Sequence, residues 1–401
     1  MQPIPLFDLS RQGPVIDDVI KKAVERVLTH QQFILGPEVT ALEQALKSFL
    51  GNSADVIAVS SGTDGLLTLL MAYEIGVGDA VITTPYTFFA TAGCVHRVGA
   101  EIVFCDIDPA TYMMDPEKLK TLFASFLRDT DGTLRTASGN KVKMIIPIHL
   151  FGTCCAMDAI NALAKEYGLL VIEDAAQVIG TDFPSHGKSI KAGTIADASY
   201  FSFYPSKNLG AAGDAGLAVC RDAGIAERIR CLRNHGMEER YYHKMVGGNF
   251  RMDALQAAIL HAKLPFINEW NAKRRANAAV YKAAFTAAGL LDRITLPEEP
   301  FAASALRDHH IYHQYVIRVI GSSASGAREK IISHLKNKKI GHAIYYPVPL
   351  HLQECFAYLG YKKGDFPESE YAAEETLALP IFPELRQDEI ASVVKAIAET
   401  V

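Results

Sequence analysis

Seven short apolar runs, separated by segments with helical spacing, constrain this chain more than any other feature of its sequence. The runs are Val56–Ser60, Ala80–Thr83, Glu101–Cys105, Lys143–Ile148, Leu169–Glu173, Ser199–Phe203 and Gly216–Cys220. Several carry Val and Ile at consecutive positions, so both faces of the strand must be covered by other elements. Gly, Pro or Asp clusters bound most of them. Between them, Gly65–Tyr73 and Asp158–Tyr167 have helical spacing. Such alternation predicts an α/β fold around a mainly parallel seven-stranded sheet. The pattern changes near Pro265. A long polar-faced helix is expected at Asn268–Ala288, then a strand at Ile311–Ile320, a helix at Ala327–Lys338, a strand at His342–Tyr346 and a last helix from Gln387. The expected division is a large α/β domain over 15–267 and a smaller C-terminal α+β domain over 268–401, with 1–14 packing nearby. Arg128–Asn140 contains Asp131-Gly132, a hairpin signal, and reads as a surface loop or hairpin.

Composition excludes several classes. With 49% hydrophobic residues among 401, there is ample material for a large core. A formal charge of −5 gives no reason to expect nucleic acid or an anionic membrane surface as partner. No apolar run approaches the roughly 18 residues of a membrane span. The start, Met1 to Asp8, lacks the basic stretch and apolar core of a signal peptide. The seven cysteines are scattered, with no Cys-x-x-Cys pair, and read as reduced thiols of a cytoplasmic protein.

Four stretches carry candidate chemistry. Ser60-Ser61-Gly62-Thr63-Asp64-Gly65 follows a strand and opens a helix. Backbone N–H groups there suit a phosphate, although the same residues also make an ordinary helix cap. Val171-Ile172-Glu173-Asp174-Ala175-Ala176-Gln177 ends an apolar strand in two acids, where open α/β sheets place ligands. A carboxylate there pairs with a protonated ring nitrogen, or simply caps the next helix. Ser202-Phe203-Tyr204-Pro205-Ser206-Lys207-Asn208-Leu209-Gly210 sets a lysine in a turn leading to Gly216. An amine of lowered pKa condenses with carbonyls; a loop lysine is otherwise just exposed. Gly247-Gly248-Asn249-Phe250-Arg251-Met252-Asp253 puts Asn249 and Arg251 at the entrance of a helix with Leu255, Ala258, Ile259 and Ala262 on its apolar side. These two suit phosphate or carboxylate, or a polar cap.

In order and spacing, the four together resemble the DegT-type (DegT/DnrJ/StrS) nucleotide-sugar aminotransferases, a branch of the fold-type-I pyridoxal-phosphate enzymes. The likeness extends to Phe33–Val39, Thr84–Ala92, His149-Leu150-Phe151-Gly152 and Tyr345–Gln353. It implies a fold-type-I architecture and pyridoxal 5′-phosphate as cofactor. By the same resemblance Lys207 would carry the cofactor covalently and shuttle the proton, and Asp174 would pair with the pyridine nitrogen. Gln177 would lie near the ring hydroxyl and Phe88 against the ring face. Gly62, Thr63 and Ser202 would hold the phosphate. Asn249 would reach the phosphate of a neighbouring subunit in a homodimer with shared active sites, with Arg251 close by. Arg251, His313, Tyr346 and His351 are candidates for touching sugar or donor.

The implied reaction moves an amino group from L-glutamate to a nucleotide-linked keto-sugar. Tyr346–Gln353 looks more like members that aminate carbon 3; carbon 4 is the alternative. Lys207 argues against the related dehydratases, which have histidine there. A non-catalytic cofactor-binding regulator would need Lys207 or Asp174 to be unproductive. A nucleotide-binding structural module lacks both the Gly-x-x-x-x-Gly-Lys-Ser/Thr loop and an opening Gly-x-Gly-x-x-Gly. The segment Arg128–Asn140 is longer than this family leads one to expect.

Overall fold

The computed structural model describes residues 2–400. All seven expected strands form, most of them shifted by a residue or so: β1 (Asp55–Val59), β2 (Asp79–Thr83), β3 (Glu101–Phe104), β4 (Lys141–Ile145), β5 (Leu170–Asp174), β6 (Ala198–Ser202) and β7 (Gly216–Cys220). They lie in the order β1-β7-β6-β5-β4-β2-β3. Pairings from β6 through β5, β4 and β2 to β3 are all parallel. Only β7 runs the other way, antiparallel to both β1 and β6. Six strands therefore point in one direction, and their C-terminal ends share one edge with the start of β7. β2 and β7 are buried at every position, as their unbroken apolar runs require. The Asp131-Gly132 turn closes a hairpin of Leu127–Arg128 and Leu134–Arg135, which joins the sheet at Lys141.

The described residues form two hydrophobic cores. The first surrounds the large sheet. The second packs Tyr281 and Phe285 of the helix Ile267–Ala287 against Tyr315, Ile317, Leu377 and Leu379 of a three-stranded antiparallel sheet, and against Ile390 and Val394 of the helix Gln387–Ala398. That sheet comprises Ile294–Thr295, Tyr315–Val319 and Thr376–Leu379. Ile4 belongs to this second core and bridges Ile340. Leu350, Phe356 and Phe366 pack instead into the first core.

Two expected strands are corrected. His342–Tyr346 makes a single bridge, Ala343 to Ala378, and then leaves the sheet edge. Ile311–Ile320 is a strand only over Tyr315–Val319. Before it, Tyr312 adopts a left-handed φ of 45°, which breaks the extended run. Both departures deliver side chains to one cavity.

Candidate active site

A cavity of about 660 Å³ opens where β1, β2, β5 and β6 end and β7 begins. Gly62, Thr63, Phe88, Asp174, Gln177, Ser202, Lys207, His313 and Tyr346 all line it. The topology explains the convergence, because parallel strands deliver their following loops to the same edge.

The helix Gly62–Ala72 starts directly after β1, capped by Ser61, whose Oγ accepts from Asp64 N–H at 3.0 Å. Asp64 Oδ2 in turn accepts from the hydroxyls of Ser60 and Ser61. The cap thus occupies Ser60, Ser61 and Asp64, while the first N–H groups, at Gly62 and Thr63, have no acceptor within the helix. Capping and anion binding are both served, by different residues. Two close approaches make the geometry possible. A Cβ on Gly62 would lie 2.8 Å from Ser202 Cβ, and one on Gly216 would lie 2.2 Å from the Ser61 carbonyl carbon. Only glycine at both positions lets the helix start sit against β6 and β7.

The two adjacent acids have opposite fates because side chains alternate across a strand. Glu173 is fully buried. It accepts from Gly193, Ile195 and Ala196 N–H at 2.7, 2.7 and 2.8 Å and from His149 Nε2 at 2.9 Å. Cys155 N–H donates to His149 Nδ1 at 3.1 Å, which leaves Nε2 as the nitrogen that donates to Glu173. Glu173 is a structural node. Asp174 lines the cavity. Burial pushes its carboxyl up, opposed first by the Tyr200 hydroxyl, then by Ala176 N–H and the Lys207 charge.

Lys207 sits in a turn closed by its own N–H to Tyr204 O at 2.8 Å and by Ala211 N–H to Phe203 O at 2.8 Å. Asn208 Nδ2 donates to Asn271 Oδ1 at 2.8 Å, and the buried Lys263 donates to Gly210 O. Burial lowers the Lys207 amine to about 8, with Asp174 pulling the other way. The Asn208 amide donates to Asn271, so its oxygen faces His313, whose Nδ1 donates to it at 3.0 Å. Burial holds His313 well below its ordinary pKa. It is therefore a neutral ring whose Nε2 is an acceptor.

Gln177 Oε1 accepts from Phe151 N–H at 2.7 Å, and its Nε2 donates to Tyr346 OH at 3.3 Å. This gives His149–Gly152 its purpose. A Cβ on Gly152 would come 2.7 Å from the backbone nitrogens of Tyr312 and His313, so the glycine seats the segment that carries His313. Phe88 is 59% exposed, an apolar ring left uncovered at the cavity.

Three expected residues are elsewhere. Asn249 is exposed and bridges Asn234, away from this cavity. Arg251 donates from Nη1 to Asn234 Oδ1 at 2.8 Å. His351 is buried, with Nε2 3.0 Å from Glu370 Oε1 and its ring edge-on to Phe366, and the expectation that it contacts substrate is withdrawn. Conversely, Thr87, Thr91, Tyr200, Ser206, Gln314 and Tyr345 line the cavity without having been singled out. Of these, Thr87 and Thr91 lie within Thr84–Ala92, whereas Tyr200 read only as a packed strand residue. On the helix Ala254–Lys263, Leu255, Ala258, Ile259 and Ala262 pack toward the first core or are buried as expected, joined by Ala254, Ala257, Leu260 and the unforeseen Lys263.

The donor set suits pyridoxal phosphate. A helix start with free N–H groups serves a phosphate, a buried acid serves a ring nitrogen, and a buried amine of lowered pKa serves an aldehyde. The Gly62–Ser202 approach supplies a cradle that a Cβ would fill. No helix among the described residues is long and apolar enough to cross a membrane.

Comparison with known proteins points the same way. Residues 14–398 match the DegT/DnrJ/EryC1/StrS aminotransferase family. A pleiotropic regulatory protein of Geobacillus stearothermophilus is 40% identical over 396 residues, 99% of this chain and 98% of its own. The UDP-N-acetyl-3-dehydro-alpha-D-glucosamine 3-aminotransferase of Acidithiobacillus ferrooxidans is 38% identical over 397 residues, 99% of this chain and 98% of its own. The crystal structure of S. venezuelae DesV in complex with a ketimine intermediate superposes with a TM-score of 0.87 at 31% identity, covering 100% of this chain and 98% of that one.

Proposed function

Because the chain belongs to the DegT/DnrJ/EryC1/StrS aminotransferase family, we propose that it transaminates a nucleotide-linked 3-keto hexose with L-glutamate as amino donor. It is a pyridoxal-phosphate-dependent transaminase, and the amino-sugar it releases would enter polysaccharide, lipopolysaccharide or glycoside assembly. The observation that carries the reading is one cavity holding Lys207, Asp174 and the helix start at Gly62 and Thr63. Pyridoxal phosphate, when bound, supplies an aldehyde for amines and a cationic ring that withdraws electrons from the reacting carbon. Lys207 Nζ would hold it, and the lysine amine would move the proton at the donor's α-carbon. Asp174 would keep the ring nitrogen charged. Gly62 and Thr63 N–H, with Ser202 Oγ, would hold the phosphate, while Phe88 would cover a ring face and Gln177 would serve the ring hydroxyl. His313 and Tyr346 line the sugar side, where the His313 Nε2 lone pair accepts from a hydroxyl.

Carbon 3 is favoured by the Tyr346–Gln353 stretch and by the 3-dehydro sugar in the name of the Acidithiobacillus relative. The test is to supply synthesised 3-keto and 4-keto nucleotide sugars with L-glutamate and follow 2-oxoglutarate. Preferential turnover of the 3-keto sugar is expected. Turnover confined to the 4-keto sugar would move the reaction to carbon 4, and failure of excess L-glutamate to convert the bound cofactor to its amine form would remove glutamate as donor. A regulator without catalysis, the role the Geobacillus relative's name suggests, does not require an amine and an acid in one cavity.

We also propose a homodimer in which Asn249, and Arg251 beside it, complete the other subunit's site. Asn249 is exposed, and Tyr241, Tyr242 and Val246 are 75%, 72% and 89% exposed nearby in sequence, an apolar surface suited to burial. Dilution below the dimer dissociation constant should loosen the cofactor, read by its fluorescence. A fully active monomer would contradict the shared site.

A further inference from the structure

Three donors converge on Asp174. The Tyr200 hydroxyl and Thr91 Oγ1, the latter at 3.2 Å, both donate to Oδ2; Ala176 N–H donates to Oδ1 at 3.1 Å. Tyr200 is 3% and Thr91 1% exposed, so water does not replace either donor. A carboxylate oxygen accepts about two hydrogen bonds. Oδ2 is therefore filled, and Oδ1 keeps a lone pair for one more donor. We propose that Tyr200 and Thr91 are positioning residues, which fill Oδ2 so that Asp174 stays ionised and offers Oδ1 to the ring nitrogen of the cofactor. The inference rests on the reading that Asp174 is that nitrogen's partner.

The physical case has two opposing parts. Burial disfavours the carboxylate, and hydroxyls that can only donate to it favour the carboxylate. Burial also drives the Tyr200 phenol well above its ordinary pKa, so it stays a donor at every working pH. The other groups facing Asp174 come from three elements. Lys207, in the turn after β6, favours the charged form. Cys94, in the helix Ala90–Arg97, has a thiol pushed up to about 12, and Tyr346 has a phenol pushed up by burial, so both are neutral. Once Lys207 is joined to the cofactor its ammonium no longer contributes, and the two hydroxyls and Ala176 N–H support the charge.

The test uses binding of pyridoxamine 5′-phosphate, which needs no covalent link, measured by fluorescence from acid to mildly alkaline pH. In the unmodified protein affinity falls on the acid side as Asp174 takes up a proton. In Tyr200→Phe that limb is expected to move to higher pH by roughly one unit, while affinity well above it returns close to the original. Thr91→Val should move it in the same direction and Thr91→Ser should leave it in place; this pair decides the matter if Tyr200→Phe does not fold. Acid limbs that superimpose in Tyr200→Phe and Thr91→Val overturn the proposal. Asp174→Asn separates the two levels. If it binds like the unmodified protein, the assignment of Asp174 to the ring nitrogen fails. If it binds weakly while the other limbs stay fixed, only the positioning role fails.

Discussion

Lys207→Ala is expected to lower transamination by at least about 10³-fold, since both the covalent attachment point and the positioned base are removed. The cavity explains why no neighbour substitutes. His313 has no primary amine with which to form the covalent link, and Lys263 is engaged with Gly210 O. The expected signature is spectroscopic as well as kinetic. The unmodified protein should be yellow with a band that borohydride abolishes, and the variant should bind the cofactor without that covalent band. The amine's pKa of about 8 adds a pH dependence. Protonation leaves less of the free amine as pH falls below about 8, so cofactor attachment should quicken as pH rises through that region and slow as it falls. Turnover retained in Lys207→Ala would sink the assignment.

Asp174→Asn is expected to cost about 10²- to 10³-fold in kcat, because the amide keeps the shape but cannot hold the ring nitrogen charged. The neighbouring acid is the control. Glu173 accepts three backbone N–H groups and His149, so Glu173→Gln should lower the melting temperature, at about 3 kcal/mol for a disrupted buried network, yet leave kcat little changed in the protein that remains folded. Steady-state kinetics and thermal unfolding of both variants check the pair. Equal kcat losses in the two would show that the distinction between the neighbouring acids is wrong.

Much of this was legible in the chain. The seven strands follow from apolar runs whose burial on both faces leaves little freedom of assignment, and Gln387 begins the last helix as expected. Nine of the twelve anticipated site residues line one cavity, and seven of them end or follow strands that the topology aligns. The errors share a cause. His342–Tyr346 and Ile311–Gln314 look extended by composition, but Tyr345, Tyr346, His313 and Gln314 are drawn out of the small sheet to line the cavity. His351 is chemically plausible as a ligand, and its partner Glu370 is 19 residues away, a pairing no local pattern reveals.

Local sequence by itself determined the strand and helix periods, the glycines that permit close approach at the first turn, and the lysine and acid at the ends of their strands. These are properties of neighbouring residues, written in spacing and side-chain type. The resemblance already named Asp174 over Glu173; only the tertiary structure decided how Glu173 is tied down on the other face, that Tyr200 and Thr91 close upon Asp174, and that burial lowers the Lys207 amine. Strand parity, desolvation and hydrogen bonds across 83 or 26 residues depend on how distant segments pack, and that information exists only once the chain is folded.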